Sequence, residues 1–384
     1  MKVSIPNDFV SGETEPESEW VRMTESMVSE GVRNMLQNCG NVQPGQQLLI
    51  AFEPESFGYF DQAVIDQVRA GATQMGLAVS LVDVGFDAKE PSMDPALMQR
   101  IMAADIVVFL ARLGDQLRFS EMPEGKTIIN SYTLNAQLLG SAFASAHYEA
   151  FVALKAAVDR CVAAANRITV TCPAGTSIEG SPNLKNAPAE DTTLKRFPMS
   201  VFSPVPARGF SGKVALGGFL TGTGSRYYED YTVEFDGQVL AILKHGMLAG
   251  FEGSPADVAK ANAQYDRVSD LFKIDRNFVH SWHAGIHPGC GFPWDMRQDY
   301  DLWGGAAFGN PRILHFHTCG AYAPGEISWN VFDPTIDIDG IVLWDRGRFC
   351  ADCLPEGPDI LRRYPCAAEV FAHPDRNVGL VKAS

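Results

Sequence analysis

Ile106-Val107-Val108-Phe109-Leu110-Ala111 is an unbroken apolar run of strand length. A strand with one wet face alternates apolar and polar side chains. A run with no polar position is what a strand covered on both faces requires, as in a parallel sheet flanked by helices. The flanking sequence agrees with that reading. Upstream, Asp94 to Ala103 and Phe60 to Met75 carry helical spacing, Leu77 to Val84 reads as a strand, and Pro44-Gly45 turns the chain into the strand-like run Gln47 to Phe52. Further back, Met23, Met27, Val28, Val32, Met35 and Leu36 recur at helical spacing. Downstream, Thr127-Ile128-Ile129-Asn130 and the helical stretch His147 to Ala165 continue the alternation. The pattern predicts an α/β layer domain with a parallel sheet over 21–167, preceded by an acidic Ser-, Pro- and Glu-rich arm at 1–20. No GxGxxG follows any of these strands, so the sheet reads as a scaffold and not as a dinucleotide site.

After Ile168-Thr169-Val170-Thr171-Cys172 the texture changes to Gly- and Pro-rich segments with short strands at Lys213 to Leu220, Tyr231 to Phe235 and Gln238 to Leu243. A strand-rich α+β domain is therefore expected over 168–384. Within it, Ser254 followed by Asp257 resembles a capping box and opens a helix of about 18 residues ending near Phe272. Gly222-Thr223-Gly224-Ser225 lacks the Lys and Ser/Thr of a P-loop and reads as a turn.

Composition narrows the function. The chain has 384 residues, 46% hydrophobic and 20% charged, as expected for two globular domains. Its 31 basic residues against 46 acidic ones give a net charge of −15, which repels phosphate backbones and anionic membrane surfaces, so neither nucleic acid nor membrane is an expected partner. The N-terminal residues carry no basic stretch leading into an apolar run, and a cytoplasmic location is expected. Eight cysteines are too sparse for a disulfide framework. Cys350, Cys353, Cys366 and His373 include a CxxC knuckle that could take zinc, although the last interval is loose for a zinc finger and buried thiols are the plainer reading.

Histidine carries the chemical signal. Five of the eight (His280, His283, His287, His315, His317) fall within 38 positions, where even spacing would put about one. Converging neutral imidazoles are satisfied more readily by a divalent cation than by one another. His283 and His287 lie in a Gly- and Pro-rich segment that cannot form the helix of a zincin motif, but such segments let backbone approach an ion or substrate. Ile313 to Thr318 reads as a strand, so His315 and His317 share a face and Phe316 points away. Glu326, after the Pro324-Gly325 turn, offers a carboxylate. Two histidines and one carboxylate with open positions are the arrangement of non-haem Fe(II) oxygenases, and His283, His315 or His317, and Glu326 are the expected ligands. The spare histidine of the pair and His287 are candidates for proton transfer. Four of six tryptophans lie in this region, and Trp294 and Trp329 are candidate substrate contacts.

The order of motifs resembles the M29 metallo-aminopeptidases and their relatives, the 2,5-dihydroxypyridine 5,6-dioxygenases. The likeness runs through Gln43 to Ile50, Pro198 to Pro204, His283 to Pro288, His315 to Gly320 and Asp333 to Gly340, and spans most of 42–348. Against the peptidase pattern, Ser200 and His283 stand where bridging carboxylates are expected, and Glu326-Ile327-Ser328 aligns with a His-x-Asp pair. A two-metal hydrolase would lose carboxylates its ions need. The resemblance therefore implies a mononuclear non-haem Fe(II) enzyme, a ring-cleaving dioxygenase taking O2 and a hydroxylated (hetero)aromatic small molecule, and a homo-oligomer by analogy. A zinc-dependent aminopeptidase-like hydrolase and a non-catalytic small-molecule or zinc-binding protein are the alternatives.

Overall fold

The computed structural model describes residues 28–88, 94–182, 192–222, 227–320 and 324–380. The acidic arm, the helical positions Met23 and Met27, and Thr223, Gly224 and Ser225 of the expected turn lie outside them. Among the described residues the chain forms three sheets, giving the mixed α/β architecture that the strand and helix patterns predict.

The first sheet is parallel and runs in the order Ala78–Asp83, Gln47–Phe52, Ile106–Leu110, Thr127–Ser131, Lys195–Phe197. Ile106–Leu110 lies at its centre with every residue buried, which is why no polar position interrupts it. Helices Gln62–Gln74 and Pro95–Ala103 begin on aspartate caps: the side chains of Asp61 and Asp94 accept from the backbone N–H of Val64 and Leu97. Residues 28–33 are α-helical and continue as a π-helical stretch, Asn34–Cys39, on the apolar pattern read from Val28 to Leu36. The fifth parallel strand, Lys195–Phe197, comes from beyond position 168 and pairs with Thr127–Ser131. The chain thus returns to the first sheet after starting the second part of the fold.

An eight-stranded sheet is built from Ile168–Thr171, Ser177–Gly180, Phe210–Leu216, Val239–Lys244, Met247–Glu252, Thr335–Ile338, Ile341–Asp345 and Arg348–Phe349. The helix Pro255–Phe272 is 18 residues long and is capped by Ser254, whose hydroxyl accepts from Asp257 N–H. A third, antiparallel sheet carries the functional residues and orders Thr232–Glu234, Phe219–Gly222, Ile327–Phe332, Ile313–Thr318, Val279–Ala284 and Val205–Pro206.

A face of this third sheet is core. Trp282, Phe316 and Trp329 are opposite one another in register and fully buried. They join the apolar cluster that includes Tyr265 of the long helix. Alternation sends the intervening residues to the other face, and that face is where the histidines are.

Candidate metal centre

His283 pairs directly with His315 across adjacent strands, and His317 follows two residues on, so all three imidazoles leave the same face. On the next strand Ser328 lies opposite His317 and Asn330 opposite His315. The result is a polar floor on an otherwise apolar sheet. His283 Nε2 is 2.7 Å from His315 Nε2 and 3.3 Å from His317 Nε2. Nitrogens about 2.0–2.1 Å from a shared ion stand about 2.9–3.4 Å apart for bond angles between about 90° and 109°, so the 3.3 Å separation falls within what a cation would impose and the 2.7 Å one just below it. Among the described residues this trio alone brings three or more histidine, cysteine or carboxylate donors together.

The partners of the outer nitrogens fix which atoms carry protons. His283 Nδ1 lies 2.9 Å from the carbonyl oxygen of Phe202, and His317 Nδ1 lies 2.9 Å from Glu326 Oε1. Both partners are acceptors, so both Nδ1 atoms donate and both Nε2 atoms turn lone pairs inward. His315 Nδ1 is buried without a hydrogen-bond partner, and its ring stacks on Phe308 at 4.3 Å. A proton on His315 Nε2 serves one inward lone pair and leaves another unmet. Adding a second proton is opposed by burial, which holds His283 and His315 well below the ordinary histidine pKa, with the neighbouring imidazoles adding to the effect. A divalent cation meets all three lone pairs at once, and the donor set therefore fits a metal.

Glu326, expected as the carboxylate ligand, is not in the trio. It precedes the strand Ile327–Phe332, reaches the sheet from its end, and accepts the His317 Nδ1 proton from behind. Its other oxygen is turned toward Arg118, 3.8 Å from Nη2. Carboxylates placed in this way orient an imidazole and make it a better donor to a metal. The donors that the structure brings together are thus three histidines, with both members of the 315/317 pair included and Glu326 behind His317.

Arg118 is not legible as a site residue from the sequence. It follows the short helix Arg112–Gln116 that caps the carboxyl end of the central parallel strand. It bonds Asp115, and Tyr132 donates to the same aspartate. Burial alone would disfavour the Arg118 charge, but Asp115 and Glu326 outweigh it and keep the guanidinium firmly protonated. Through Glu326 and Arg118 the centre is thus tied to the carboxyl-end side of the parallel sheet, the side on which open α/β sheets bind ligands. That rule, applied to charged residues just after apolar strands, is the signal that would have found Arg118.

None of the other candidates read from the sequence joins the trio. His287 does not enter the cluster. The Gly- and Pro-rich segment carries it past the end of Val279–Ala284 into the core, between Phe151, stacked at 3.7 Å, and Phe143. Gly285 makes that path possible, because a Cβ there would meet Asn310 O at 2.3 Å. Trp329 lies on the opposite face from the histidines, its indole N–H donating to Tyr265 Oη, so it packs the core. Trp294 is 39% exposed and sits edge-on to Phe292 at the surface. Cys353 and Cys366 are exposed and His373 pairs with Glu369, so the C-terminal set is neither buried nor gathered around a point.

The placement of His287 has a measurable consequence. Burial pushes its pKa down to about 3. The unfolded chain takes up this proton at about 6.5, so above that pH the residue is neutral in both states. Between the two values the unfolded state binds the extra proton, and stability falls with falling pH by up to about 1.4 kcal/mol per unit. His287→Phe keeps the stack on Phe151 and deletes the titration. Its urea midpoint is expected to decline less steeply than that of the parent between pH 6 and 4; equal slopes would mean that His287 is charged or exposed in the fold.

No protein-family model matches the sequence, and no curated protein matches it either. Solved structures do. The fold is similar to 2,5-dihydroxypyridine dioxygenase from Pseudomonas putida KT2440, with a TM-score of 0.57 and 14% identity over 87% of this chain and 99% of that one. Wild-type AmpT from Thermus thermophilus aligns over 86% of this chain and 100% of its own, at a TM-score of 0.47 and 11% identity. No helix among the described residues is long and apolar enough to cross a membrane. The chain has a mixed α/β fold similar to that of the dioxygenase.

Proposed function

We propose that the chain is a mononuclear non-haem iron(II) enzyme that oxygenates a hydroxylated aromatic or heteroaromatic small molecule, with His283, His315 and His317 holding the ion. The observation that carries the reading is the convergence of three Nε2 atoms, two of them on buried side chains, with too few protons to satisfy one another. The substrate class is drawn from the dioxygenase of the same fold, whose name specifies a dihydroxypyridine. Three neutral imidazoles leave the charge of a divalent ion uncompensated, which favours an anionic co-ligand such as a ring oxide. Bound iron(II) would hold ring and dioxygen together and relay electrons from the electron-rich ring to dioxygen.

The protein's own contribution is orientation and exclusion of water. Phe202 O and the Glu326 carboxylate fix the rotation and tautomer of His283 and His317, and the Phe308 ring holds His315. The packed indoles of Trp282 and Trp329 make the strands beneath a rigid base. A two-metal peptidase finds no support, since among the described residues no carboxylate joins the trio to bridge a second ion.

The test is oxygen uptake by anaerobically purified, iron(II)-loaded protein with 2,5-dihydroxypyridine and with catechols, beside the zinc-loaded protein with aminoacyl anilides. Iron-dependent consumption of about one O2 per ring opened supports the reading. Zinc-dependent amide cleavage without oxygen uptake would replace it with a hydrolase.

A further inference from the structure

The helix Tyr148–Ala164 runs past the segment that leads into Val205–Pro206, and Asp159 on that helix takes hold of one peptide group there. The Ser203 N–H donates to Asp159 Oδ1 at 2.9 Å, and the Ser203 hydroxyl donates to Oδ2 at 2.9 Å. Lys155, one turn earlier on the helix, donates to the same Oδ2 and to the Ser203 hydroxyl, each at 2.8 Å. The carbonyl of that same peptide is Phe202 O, which lies 2.9 Å from His283 Nδ1. A carboxylate and a histidine of the cluster therefore stand on opposite sides of one planar amide, the carboxylate on its N–H and the imidazole on its C=O. Packing holds the amide between them. The Phe202 ring is buried, edge-on to Trp282 and 5.3 Å from Trp344, and Leu154 and Val158 of the helix belong to the same apolar cluster.

We propose that Asp159 is a positioning residue of the metal centre, holding the Phe202–Ser203 peptide so that its carbonyl fixes the rotation of His283 and strengthens Nε2 as a metal donor. The inference rests on the reading of the three histidines as a metal centre and on none of the substrate chemistry. Hydrogen bonds in series polarise one another, and an amide whose N–H is held by a charge presents a more negative carbonyl oxygen. That oxygen draws the Nδ1 proton and leaves Nε2 the better donor, which is the effect a carboxylate has when it meets the imidazole directly, as Glu326 meets His317. Two of the three histidines are thus backed by a carboxylate, one at first hand and one through a peptide, whereas His315 rests on the Phe308 ring. The Ser203 hydroxyl and Lys155 suffice to tether the helix to the segment; the bond from the peptide N–H is the contact that reaches His283.

Cobalt(II) is the probe, because it shifts the N–H protons of its imidazole ligands away from the rest of the proton magnetic-resonance spectrum. The parent is expected to show exchangeable N–H signals from His283 and His317, that of His317 assigned by its displacement in Glu326→Gln. Asp159→Leu removes both charge and acceptor. It should weaken cobalt(II) binding in a chelator titration by about 3- to 10-fold, below the roughly 10- to 100-fold loss of a direct partner. It should also move the His283 signal and quicken its exchange with water while the His317 signal stays. Asp159→Asn keeps an acceptor oxygen and should do less. Ser203→Ala loses the hydroxyl tether but keeps the peptide N–H, and should match the parent in both readouts. A lower urea midpoint in Asp159→Leu with parent cobalt(II) affinity and an unmoved His283 signal would reduce Asp159 to a tether, and displacement of both signals together would mean general distortion. Either result overturns the assignment and leaves the metal centre standing. If Asp159→Leu does not fold, Asp159→Asn set against Ser203→Ala decides by the same two readouts. A parent that binds no cobalt(II), or binds it without histidine N–H signals, overturns the metal centre and the role of Asp159 with it.

Discussion

His315→Ala and His283→Ala are each expected to weaken metal binding by about a hundredfold or more. Zinc binding to structural sites amounts to about 10–16 kcal/mol shared among about four ligands, so one ligand carries roughly 3 kcal/mol. The loss should exceed that average at His283, whose Nε2 faces both of the others. Neither variant should unfold the chain, because the alanine leaves from the polar face of the sheet while Trp282, Phe316 and Trp329 continue to pack the other. The measurement is a competitive chelator titration, with near-UV circular dichroism to report on the tryptophans. Metal affinity unchanged in either variant would place the ion elsewhere.

Glu326 separates two accounts of the centre. If it orients His317 through Nδ1, Glu326→Ala should weaken metal binding by about 10- to 100-fold, less than a ligand deletion, and the protein should still fill at saturating metal. Glu326→Gln should do less harm than alanine, since an amide oxygen can still accept from His317 Nδ1. If Glu326 were a ligand, both changes would match the histidine variants. Either substitution also removes one of the two carboxylates that sustain the Arg118 charge, so a drop in stability is expected beside the loss of affinity. Chelator titrations of the two variants, run with the histidine series, give the ranking directly.

Much of the scaffold is written in local pattern. The unbroken run at Ile106–Leu110 is the central, fully buried parallel strand, and Ser254 and Asp61 cap the helices that follow them. Period-two alternation is enough to place His315 and His317 on one face. What alternation cannot give is register. That His283 stands opposite His315, and that Trp329 stands opposite Phe316 on the far face, depends on how three strands align, and a single sequence does not reveal it. Glu326 misleads for a related reason. Treated as part of an extended strand it shares a face with Ser328, but the strand begins at Ile327, and the carboxylate arrives from the edge and stops one atom layer behind the ligand. His287 looks like a site residue through its closeness to His283 in sequence, whereas Gly285 turns the chain so that four residues carry it into the aromatic core. Arg118 escapes a linear reading because its place follows from topology: it lies past the carboxyl end of the central parallel strand, beyond the short helix Arg112–Gln116.

The most direct test of the account is metal analysis of the protein purified without oxygen and reconstituted with iron(II). The three-histidine centre predicts about one tightly held ion per chain, absent from His283→Ala prepared in the same way. Two ions per chain, or none after reconstitution, would contradict it.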